Sequence, residues 1–225
     1  MEEGADIIDI GGESTRPGHV QITEEEEIER TAPIIEKVTE RFDTVVSIDT
    51  YKSKVAEAAL KAGAHMVNDI WGLKRDPDMA ALIAREKAAC CLMHNRDNTD
   101  YGNFVEDMVD DLQKSVELAV NAGISRDRIM VDPGVGFAKA YEQNLMAIQY
   151  VDALHQLGLP VLLATSRKSV IGLTLDLPSD QRLEGTLATT LMGVMKGCSF
   201  VRVHDVKENK RVIQMTEAIL RSRNG

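Results

Sequence analysis

The sequence has few cysteines and no long hydrophobic run, and these shortages exclude several classes of protein. A helix that crosses a membrane needs about 18 to 20 consecutive apolar residues, and no such run occurs, so we expect no membrane partner. The three cysteines form no Cys-x-x-Cys pair, and we expect buried free thiols in a cytosolic protein. There is no His-Glu-x-x-His motif and no cysteine–histidine cluster, so the sequence contains no metal signature of its own.

Positive charge is also scarce. The chain has 26 Lys and Arg against 36 Asp and Glu, which gives a net charge of −10. We therefore expect no nucleic acid and no anionic membrane as a partner, because both attract basic surfaces. Several basic side chains nevertheless follow predicted strands, namely Arg16, Arg167, Lys168, Arg202 and His204. A local cluster of positive charge in an acidic chain indicates a small anionic ligand.

Short apolar runs that end in polar residues recur seven times, and each run is typical of a strand buried on both faces. The predicted strands are 6–10, 44–49, 65–69, 89–93, 128–132, 160–165 and 199–203. Helical stretches separate them, so we predict a single α/β domain over 1–225 with a parallel sheet. In a parallel barrel the polar strand ends meet on one face, where the active sites of such barrels lie.

The helical stretches carry their own signals. Thr23 and Glu26 have the spacing of a capping box, while Pro33 inside the same pattern predicts a kink or break. Residues 104–119 place apolar side chains on one stripe of a helix. Further helices are predicted at 141–157, 180–196 and 205–221.

Three side chains with oxygen acceptors stand at strand ends: Asp49, Asn68 and Asp132. A carboxylate accepts two parallel hydrogen bonds, and an asparagine offers both an acceptor and donors. Together they would match the donor-rich edge of an aminopyrimidinone ring. For each of them alone, capping of a helix is an equally good interpretation.

Two glycine-containing loops follow strands. The first, at 11–18, contains Ser14, Thr15 and Arg16, which either contact a substrate or anion or belong to an incidental surface turn. The second, at 132–137, contains Phe137, which is either a buried anchor or a platform for a flat ligand.

The last two predicted strands end in basic residues. Arg167 suits bidentate contacts and stacking, and Lys168 is a compact charge. Arg202 and His204 lie two positions apart, so on a strand they share a face and would form a phosphate clamp. The alternative is a core histidine paired with Asp205.

In order and spacing, these loops resemble those of the dihydropteroate synthases, the enzymes that sulfonamides inhibit. The matching segments are DIGGESTRPG at 9–18, SIDT at 47–50, VNDI at 67–70, LMHN at 92–95, DPGVGF at 132–137, SRKS at 166–169 and RVHDV at 202–206. The resemblance covers essentially the whole chain and implies a TIM (β/α)8 barrel, of which seven strands are visible. The family's first strand, and the loop after it with a metal-contacting asparagine, have no counterpart, so we expect an N-terminally incomplete barrel.

The reaction implied by the resemblance joins hydroxymethyl-dihydropterin diphosphate to p-aminobenzoate, giving dihydropteroate and pyrophosphate with Mg²⁺. The implied pterin contacts are Asp49, Asn68, Asp132 and Lys168, and the implied diphosphate contacts are Arg202 and His204. The implied p-aminobenzoate pocket contains Thr15, Pro17, Phe137 and Ser166, with Arg16 in the same loop as the first two. A departing diphosphate and a developing pterin cation both need charge stabilisation. The residues expected to be catalytic are therefore Asp49, Asp132, Lys168, Arg202 and His204.

The resemblance also implies a cytoplasmic homodimer whose partners are these small-molecule substrates. Two alternatives stay open. A pterin-binding methyltransferase domain, which passes a methyl group from a folate to a corrinoid protein, would share the pterin contacts but leave the basic residues at 166–168 and 202–204 unexplained. The other alternative is a non-catalytic fragment, because the family's first strand has no counterpart in this sequence.

Overall fold

The structure is a computed structural model, and it describes residues 2–14 and 20–222. Its strands are β1 Ile7–Ile10, β2 Val45–Asp49, β3 Met66–Asp69, β4 Ala89–Met93, β5 Ile129–Asp132, β6 Leu162–Leu163 and β7 Phe200–Val201. Its α-helices are α1 Glu24–Arg41, α2 Ser53–Lys61, α3 Met79–Glu86, α4 Phe104–Asn121, α5 Tyr141–Gln149, α6 Ser169–Leu175, α7 Leu183–Met195 and α8 Val206–Arg221. All seven predicted strands are therefore present, in the predicted alternation with helices.

The chain divides into two compact units. The first lies within 5–93 and 114–129, and the second within 2–4, 94–113 and 130–225. The single domain predicted over 1–225 stays a prediction.

The first unit contains a parallel sheet in the order β1-β2-β3-β4. The register pairs Asp9 with Ser47, and it pairs Asp49 with Asn68. Strands β2, β3 and β4 are buried almost throughout, which explains why they are apolar on both faces rather than alternating. Because parallel strands in register end together, polar residues at the ends of β2 and β3 become neighbours.

Helix α1 begins as the sequence predicts but does not break at Pro33. The Thr23 hydroxyl oxygen accepts a hydrogen bond from the Glu26 amide at 3.2 Å, and four glutamates fill the first turn near the positive end of the helix dipole. The helix then continues through Pro33 to Arg41, so a break there is wrong, while a kink at Pro33 stays a prediction. Pro33 is exposed while Thr31 and Ile35 beside it are buried, so packing holds the helix and the proline faces solvent.

The second unit contains the remaining parallel pairings. Val131 of β5 bridges Val161, and β6 pairs with β7 through Leu162–Phe200 and Leu163–Val201. The amides of Ser199 and Phe200 both donate to the Val161 carbonyl, at 2.9 and 3.1 Å. This doubled donation disturbs the ladder, and β6 and β7 are consequently shorter than the predicted 160–165 and 199–203.

Two predicted helices of the second unit are divided. The stretch predicted at 141–157 ends as an α-helix at Gln149 and continues as a 3₁₀ helix over Val151–Leu157. Tyr150 between them has φ −112° and ψ 26°, outside the helical region. The stretch predicted at 180–196 likewise has a 3₁₀ turn over Ser179–Gln181 before α7 begins at Leu183. Among the residues described, no helix is both long and apolar enough to cross a membrane.

Candidate active site

Asp49 and Asn68 lie side by side at the ends of β2 and β3. They are register partners, and their exposed fractions are only 8% and 7%. The Thr50 amide donates to the Asn68 carbonyl at 3.1 Å, which extends the pairing just past the strand. The structure thus places a carboxylate and a carboxamide together at the same edge of the first unit's sheet.

Capping of α2, the alternative role for Asp49, is performed by other residues. The Asp76 carboxylate accepts from the Ser53 amide at 2.7 Å, and the Thr50 hydroxyl oxygen accepts from the Lys52 amide at 3.2 Å. Asp76 lies 23 positions from Ser53 in the sequence, and its role was not anticipated. The first turn of α2 therefore does not depend on the Asp49 side chain.

Asp69, which follows Asn68, has a structural role. Its carboxylate accepts from the Trp71 and Leu73 amides, each at 2.8 Å. Burial raises the pKa of Asp69 to about 6, although these two hydrogen bonds lower it. Leu73 has φ 67°, so Asp69 supports a turn in the left-handed region and leaves Asn68 as the ligand candidate of this strand end.

The segment after β1 passes close to Asp49 and is held by a buried ion network. A Cβ on Gly11 would lie 3.3 Å from the Asp49 Cβ, and a Cβ on Gly12 would lie 2.9 Å from Thr31 Cγ2. Only glycine allows so close an approach at Gly12. The other loop residues predicted to bind substrate, Thr15, Arg16 and Pro17, lie outside the described residues.

The buried ion network, which we call the Lys52 network, joins Lys52 to Glu13 and Glu27. The Lys52 ammonium donates to Glu13 at 2.7 Å, to Glu27 at 2.8 Å and to the Ile22 carbonyl at 2.8 Å. Glu13 also accepts from the Tyr51 hydroxyl at 2.9 Å and from the Ile22 amide at 3.0 Å. Burial alone would raise the pKa of Glu13, but these hydrogen bonds, that of Lys52 foremost, bring it down to about 2.

In the second unit, Asp132 ends β5 as a buried carboxylate that feels the charge of three cations. It is 3% exposed, and its Oδ1 accepts from the Gly134 amide at 2.6 Å. Burial raises the pKa of Asp132, and the positive charges of Lys168, Lys139 and Arg202 oppose that rise. Three predicted site residues, Asp132, Lys168 and Arg202, therefore interact electrostatically in the second unit.

Lys168 lies along the loop that carries Phe137. Its ammonium donates to the Val135 carbonyl and lies 5.0 Å from the centroid of the Phe137 ring, within the range of a cation–π contact. A Cβ on Gly136, where φ is 90°, would lie 3.3 Å from Lys168 Cδ. Phe137 itself is half-buried, so it is neither of the two extremes that the sequence left open.

Ser166 and His204 form a hydrogen-bonded pair, and both lie near the ends of their strands. The Ser166 Oγ lies 2.9 Å from His204 Nδ1 and accepts from the His204 amide at 3.2 Å. The alternative of a core histidine paired with Asp205 is wrong, because His204 is exposed and Asp205 accepts from the Arg167 guanidinium, with Nε–Oδ2 at 3.1 Å. Since β7 ends at Val201, Arg202 and His204 follow the strand instead of lying in it.

Comparison with known proteins decides the family. The pterin binding enzyme family matches residues 1–204. A curated dihydropteroate synthase of Clostridium beijerinckii is 56% identical over 98% of this chain and 82% of its own length. The chain belongs to the dihydropteroate synthase family.

Solved structures agree with this assignment. A Clostridium difficile dihydropteroate synthase determined in the presence of pteroic acid has a TM-score of 0.95 at 49% identity, over 97% of this chain and 83% of its own. The Xanthomonas albilineans enzyme with 4-aminobenzoic acid has a TM-score of 0.94 at 37% identity, over 97% and 81%. The predicted α/β fold of the TIM-barrel class is confirmed, as is the assignment to a transferase family, that of the dihydropteroate synthases.

In each unit, some residues that support the loops with candidate site residues were not anticipated. Lys52 and Glu27 in the first unit, and Lys139 and His94 in the second, all make contacts that hold loops after strands. His94 is fully buried, and it belongs to the LMHN segment that resembles the dihydropteroate synthase family. The position of His94 just after a strand was the signal in the sequence that could have indicated it. No sequence pattern indicated that Lys139 would be its partner.

Magnesium, implied by the resemblance to dihydropteroate synthases, finds no protein cage in the described part of the chain. Mg²⁺ prefers oxygen ligands and is usually bound by one or two carboxylates together with substrate phosphates. Among residues 2–14 and 20–222, no three His, Cys, Asp or Glu side chains form a group that could hold a metal ion. The described residues therefore do not form a cage of their own for Mg²⁺.

Proposed function

We propose that this chain condenses hydroxymethyl-dihydropterin diphosphate with p-aminobenzoate and releases pyrophosphate. The observation that carries the proposal is the surroundings of Asp132. A buried carboxylate, two flanking cations (Lys168 and Arg202) and a half-buried aromatic ring suit a flat, cationic heterocycle with a phosphorylated arm. The curated relatives bear the name of this activity.

We propose that the pterin ring is bound by Asp49, Asn68, Asp132 and Lys168. The Asp132 carboxylate has a second oxygen beyond the one that accepts from Gly134, and a carboxylate can accept the paired N–H groups of an aminopyrimidinone edge. Lys168 adds a donor for the ring's acceptor atoms. Asp49 and Asn68 supply further acceptors and donors from neighbouring strand ends.

Arg202 and His204 hold the diphosphate in this proposal, and Ser166 sets the tautomer of His204. The Ser166 Oγ already accepts the His204 amide, so its hydroxyl hydrogen is available for Nδ1. Nε2 is then the protonated nitrogen and donates to a phosphate oxygen. Arg202 adds a permanent positive charge, and both stabilise the negative charge that grows on the leaving group.

The reaction breaks the bond between the pterin methylene carbon and the diphosphate oxygen, and the bonding electrons leave with pyrophosphate. The resulting pterin-methylene cation is stabilised by the Asp132 carboxylate, and by Asp49. The p-aminobenzoate nitrogen then forms the new C–N bond and loses a proton to solvent. An aniline nitrogen is a sufficient nucleophile, so no strong general base is required.

The p-aminobenzoate pocket is proposed to contain Phe137 and Ser166, with Thr15 and Pro17 from the loop outside the described residues. Arg16 of the same loop is proposed as a further substrate-binding residue. Phe137 has a partly exposed ring on which a flat ligand can stack, and Lys168 beside it attracts a carboxylate. Ser166 links this pocket to His204 and so to the leaving group.

The decisive experiment measures pyrophosphate release with both substrates and with each alone. The proposal predicts release that requires both, and a folate-dependent methyl transfer would release none. Removal of Mg²⁺ with a chelator, followed by its return, tests the magnesium requirement in the same assay.

We also propose a cytoplasmic homodimer. Two helices of the second unit, α7 and α8, expose apolar side chains that a second copy would cover: Leu191, Met195, Met215 and Ile219. Sedimentation of the purified chain tests this, since a monomer at micromolar concentration would contradict it.

A further inference from the structure

The loop from Asp132 to Lys139 carries two residues of the proposed site, Asp132 and Phe137. The side chain of its last residue, Lys139, donates hydrogen bonds to the backbone of the same loop. The Lys139 ammonium donates to the Gly134 carbonyl at 3.0 Å and to the Phe137 carbonyl at 3.0 Å. Gly134 in turn donates its amide to Asp132, and the Phe137 amide donates to the Gly134 carbonyl at 3.1 Å. One ammonium thus closes the loop between the carboxylate and the aromatic ring.

A buried histidine gives Lys139 its third partner. The Lys139 ammonium lies 2.9 Å from His94 Nδ1, and His94 Nε2 lies 3.3 Å from the Asp111 carboxylate. An ammonium can only donate, so Nδ1 accepts and Nε2 carries the hydrogen that points at Asp111. His94 is therefore neutral in this arrangement, and its tautomer is set by the charges on either side.

The loop is also pressed against the backbone at His94. The His94 amide donates to the Asp132 carbonyl at 2.9 Å. Gly134 has φ 69°, and a Cβ there would lie only 1.9 Å from the His94 carbonyl oxygen. No other residue fits at Gly134 without moving the loop.

Tyr101 supports the loop at a second point. Its hydroxyl donates to the Ala138 carbonyl at 2.9 Å, and its ring stacks on the Arg96 guanidinium at 4.3 Å. Ala138 has φ 44°, a left-handed conformation that a non-glycine residue adopts only when its surroundings hold it there. Lys139 and Tyr101 therefore hold the loop at consecutive residues.

We propose that Lys139, assisted by Tyr101, is a positioning residue that fixes the Asp132–Phe137 loop in the geometry needed to bind p-aminobenzoate. This inference rests on the proposed function, in which Phe137 lines the p-aminobenzoate pocket. Lys139 acts through the Gly134 and Phe137 carbonyls without touching a substrate. The Asp132 carboxylate stays hydrogen-bonded to Gly134 in either case, so p-aminobenzoate binding depends on Lys139 more than pterin binding does.

The test compares Lys139→Met with Lys196→Met. Lys196 is a matched control, because it lies in the same unit and its ammonium pairs with Asp152 at 3.0 Å. Lys139→Met loses three hydrogen bonds from a charged donor, two of them to carbonyls of the loop, so the KM for p-aminobenzoate should rise roughly ten-fold or more. The kcat and the Kd of the pterin diphosphate should change by less than about three-fold, and Lys196→Met should behave as the unaltered chain.

Amide hydrogen exchange reports on the loop independently of turnover. In Lys139→Met the amide of Phe137 should exchange at least roughly ten-fold faster, while that of Gly134, which stays bonded to Asp132, and those of α8 stay protected. If Lys139→Met does not fold, Tyr101→Phe, which removes a single oxygen, should give the same pattern with a smaller rise in KM. Failure of the proposed function would show as no pyrophosphate release by the unaltered chain. An unchanged KM together with unchanged exchange in the folded variant would overturn the inference.

Discussion

Two lysines with buried partners, one in each unit, hold loops that follow strands, and they do so with different partners. Lys52 lies between two carboxylates, Glu13 and Glu27, whose side chains are 4% and 1% exposed. Lys139 donates instead to neutral acceptors, the carbonyls of Gly134 and Phe137 and the ring nitrogen of His94. The Lys52 network is an ion cluster, whereas the contacts of Lys139 are hydrogen bonds from one charge.

Because their partners differ in charge, the two lysines contribute differently to the fold. Removing Lys52 leaves two buried carboxylates without their cation, and uncompensated buried charge is strongly destabilising. Removing Lys139 leaves neutral acceptors, of which the carbonyls can turn to water. We therefore expect Lys52 to matter most for stability and Lys139 to matter most for the position of the loop.

The largest effect is expected for Lys52→Met. Loss of the cation between Glu13 and Glu27 should lower the free energy of unfolding by about 3 to 5 kcal/mol. Urea unfolding monitored by circular dichroism measures this, with Lys196→Met as the exposed-pair control. A loss below about 1 kcal/mol would mean that the network is too well hydrated to act as a buried cluster.

Neutralising the whole Lys52 network should restore most of that stability. In the triple variant Glu13→Gln, Lys52→Met, Glu27→Gln no buried charge is left unpaired, so roughly 2 to 4 kcal/mol of the loss should return. The same urea titration measures it. A triple variant no more stable than Lys52→Met alone would show that packing or hydrogen-bond geometry, and not charge, dominates here.

A smaller loss is expected for Lys139→Met, which should destabilise the chain by about 1 to 3 kcal/mol. This loss comes from carbonyls of one loop that no longer accept a hydrogen bond from Lys139. The change in the KM for p-aminobenzoate should therefore be more evident than the change in stability. Urea unfolding of Lys139→Met and Lys52→Met under the same conditions measures both losses of stability and checks their order. A greater loss for Lys139→Met than for Lys52→Met would reverse the comparison.

Acid should weaken the Lys52 network selectively, with the smallest effect of the four. The folded-state pKa of Glu13 is about 2, below the ordinary 4.5 of a glutamate. A lowered pKa stabilises the fold fully above pH 4.5 and loses that contribution as the pH falls towards 2. Unfolding midpoints of the unaltered chain and of Glu13→Gln between pH 5 and about pH 2.5 test this, and parallel curves would contradict it.

Much of the fold could be predicted from the sequence, because strands buried on both faces leave unbroken apolar runs. The first five strands were placed within one residue of β1 to β5. The last two were too long, since the doubled donation to the Val161 carbonyl depends on how two distant segments meet. The same holds for Pro33, whose effect depends on which face of α1 it occupies.

The candidate site likewise contains some residues that the sequence could indicate and others that it could not. Asp132, Phe137, Ser166 and Lys168 lie at or after strand ends, which made them candidates, and the resemblance to dihydropteroate synthases supplied their expected roles. Lys139 and His94 could not be paired, because 45 positions separate them and no local pattern encodes their contact. Lys52 was missed for the same reason, as its partners Glu27 and Glu13 lie 25 and 39 positions away.

The most direct test of the account is the affinity of Asp132→Asn for hydroxymethyl-dihydropterin diphosphate, measured by isothermal titration calorimetry. The carboxamide keeps the shape and the hydrogen bond from Gly134 but loses the negative charge and one acceptor. We predict binding weaker by roughly thirty-fold, equivalent to about 2 kcal/mol, with Lys196→Met unchanged. An Asp132→Asn variant that binds as tightly as the unaltered chain would contradict the assignment of this carboxylate to the pterin.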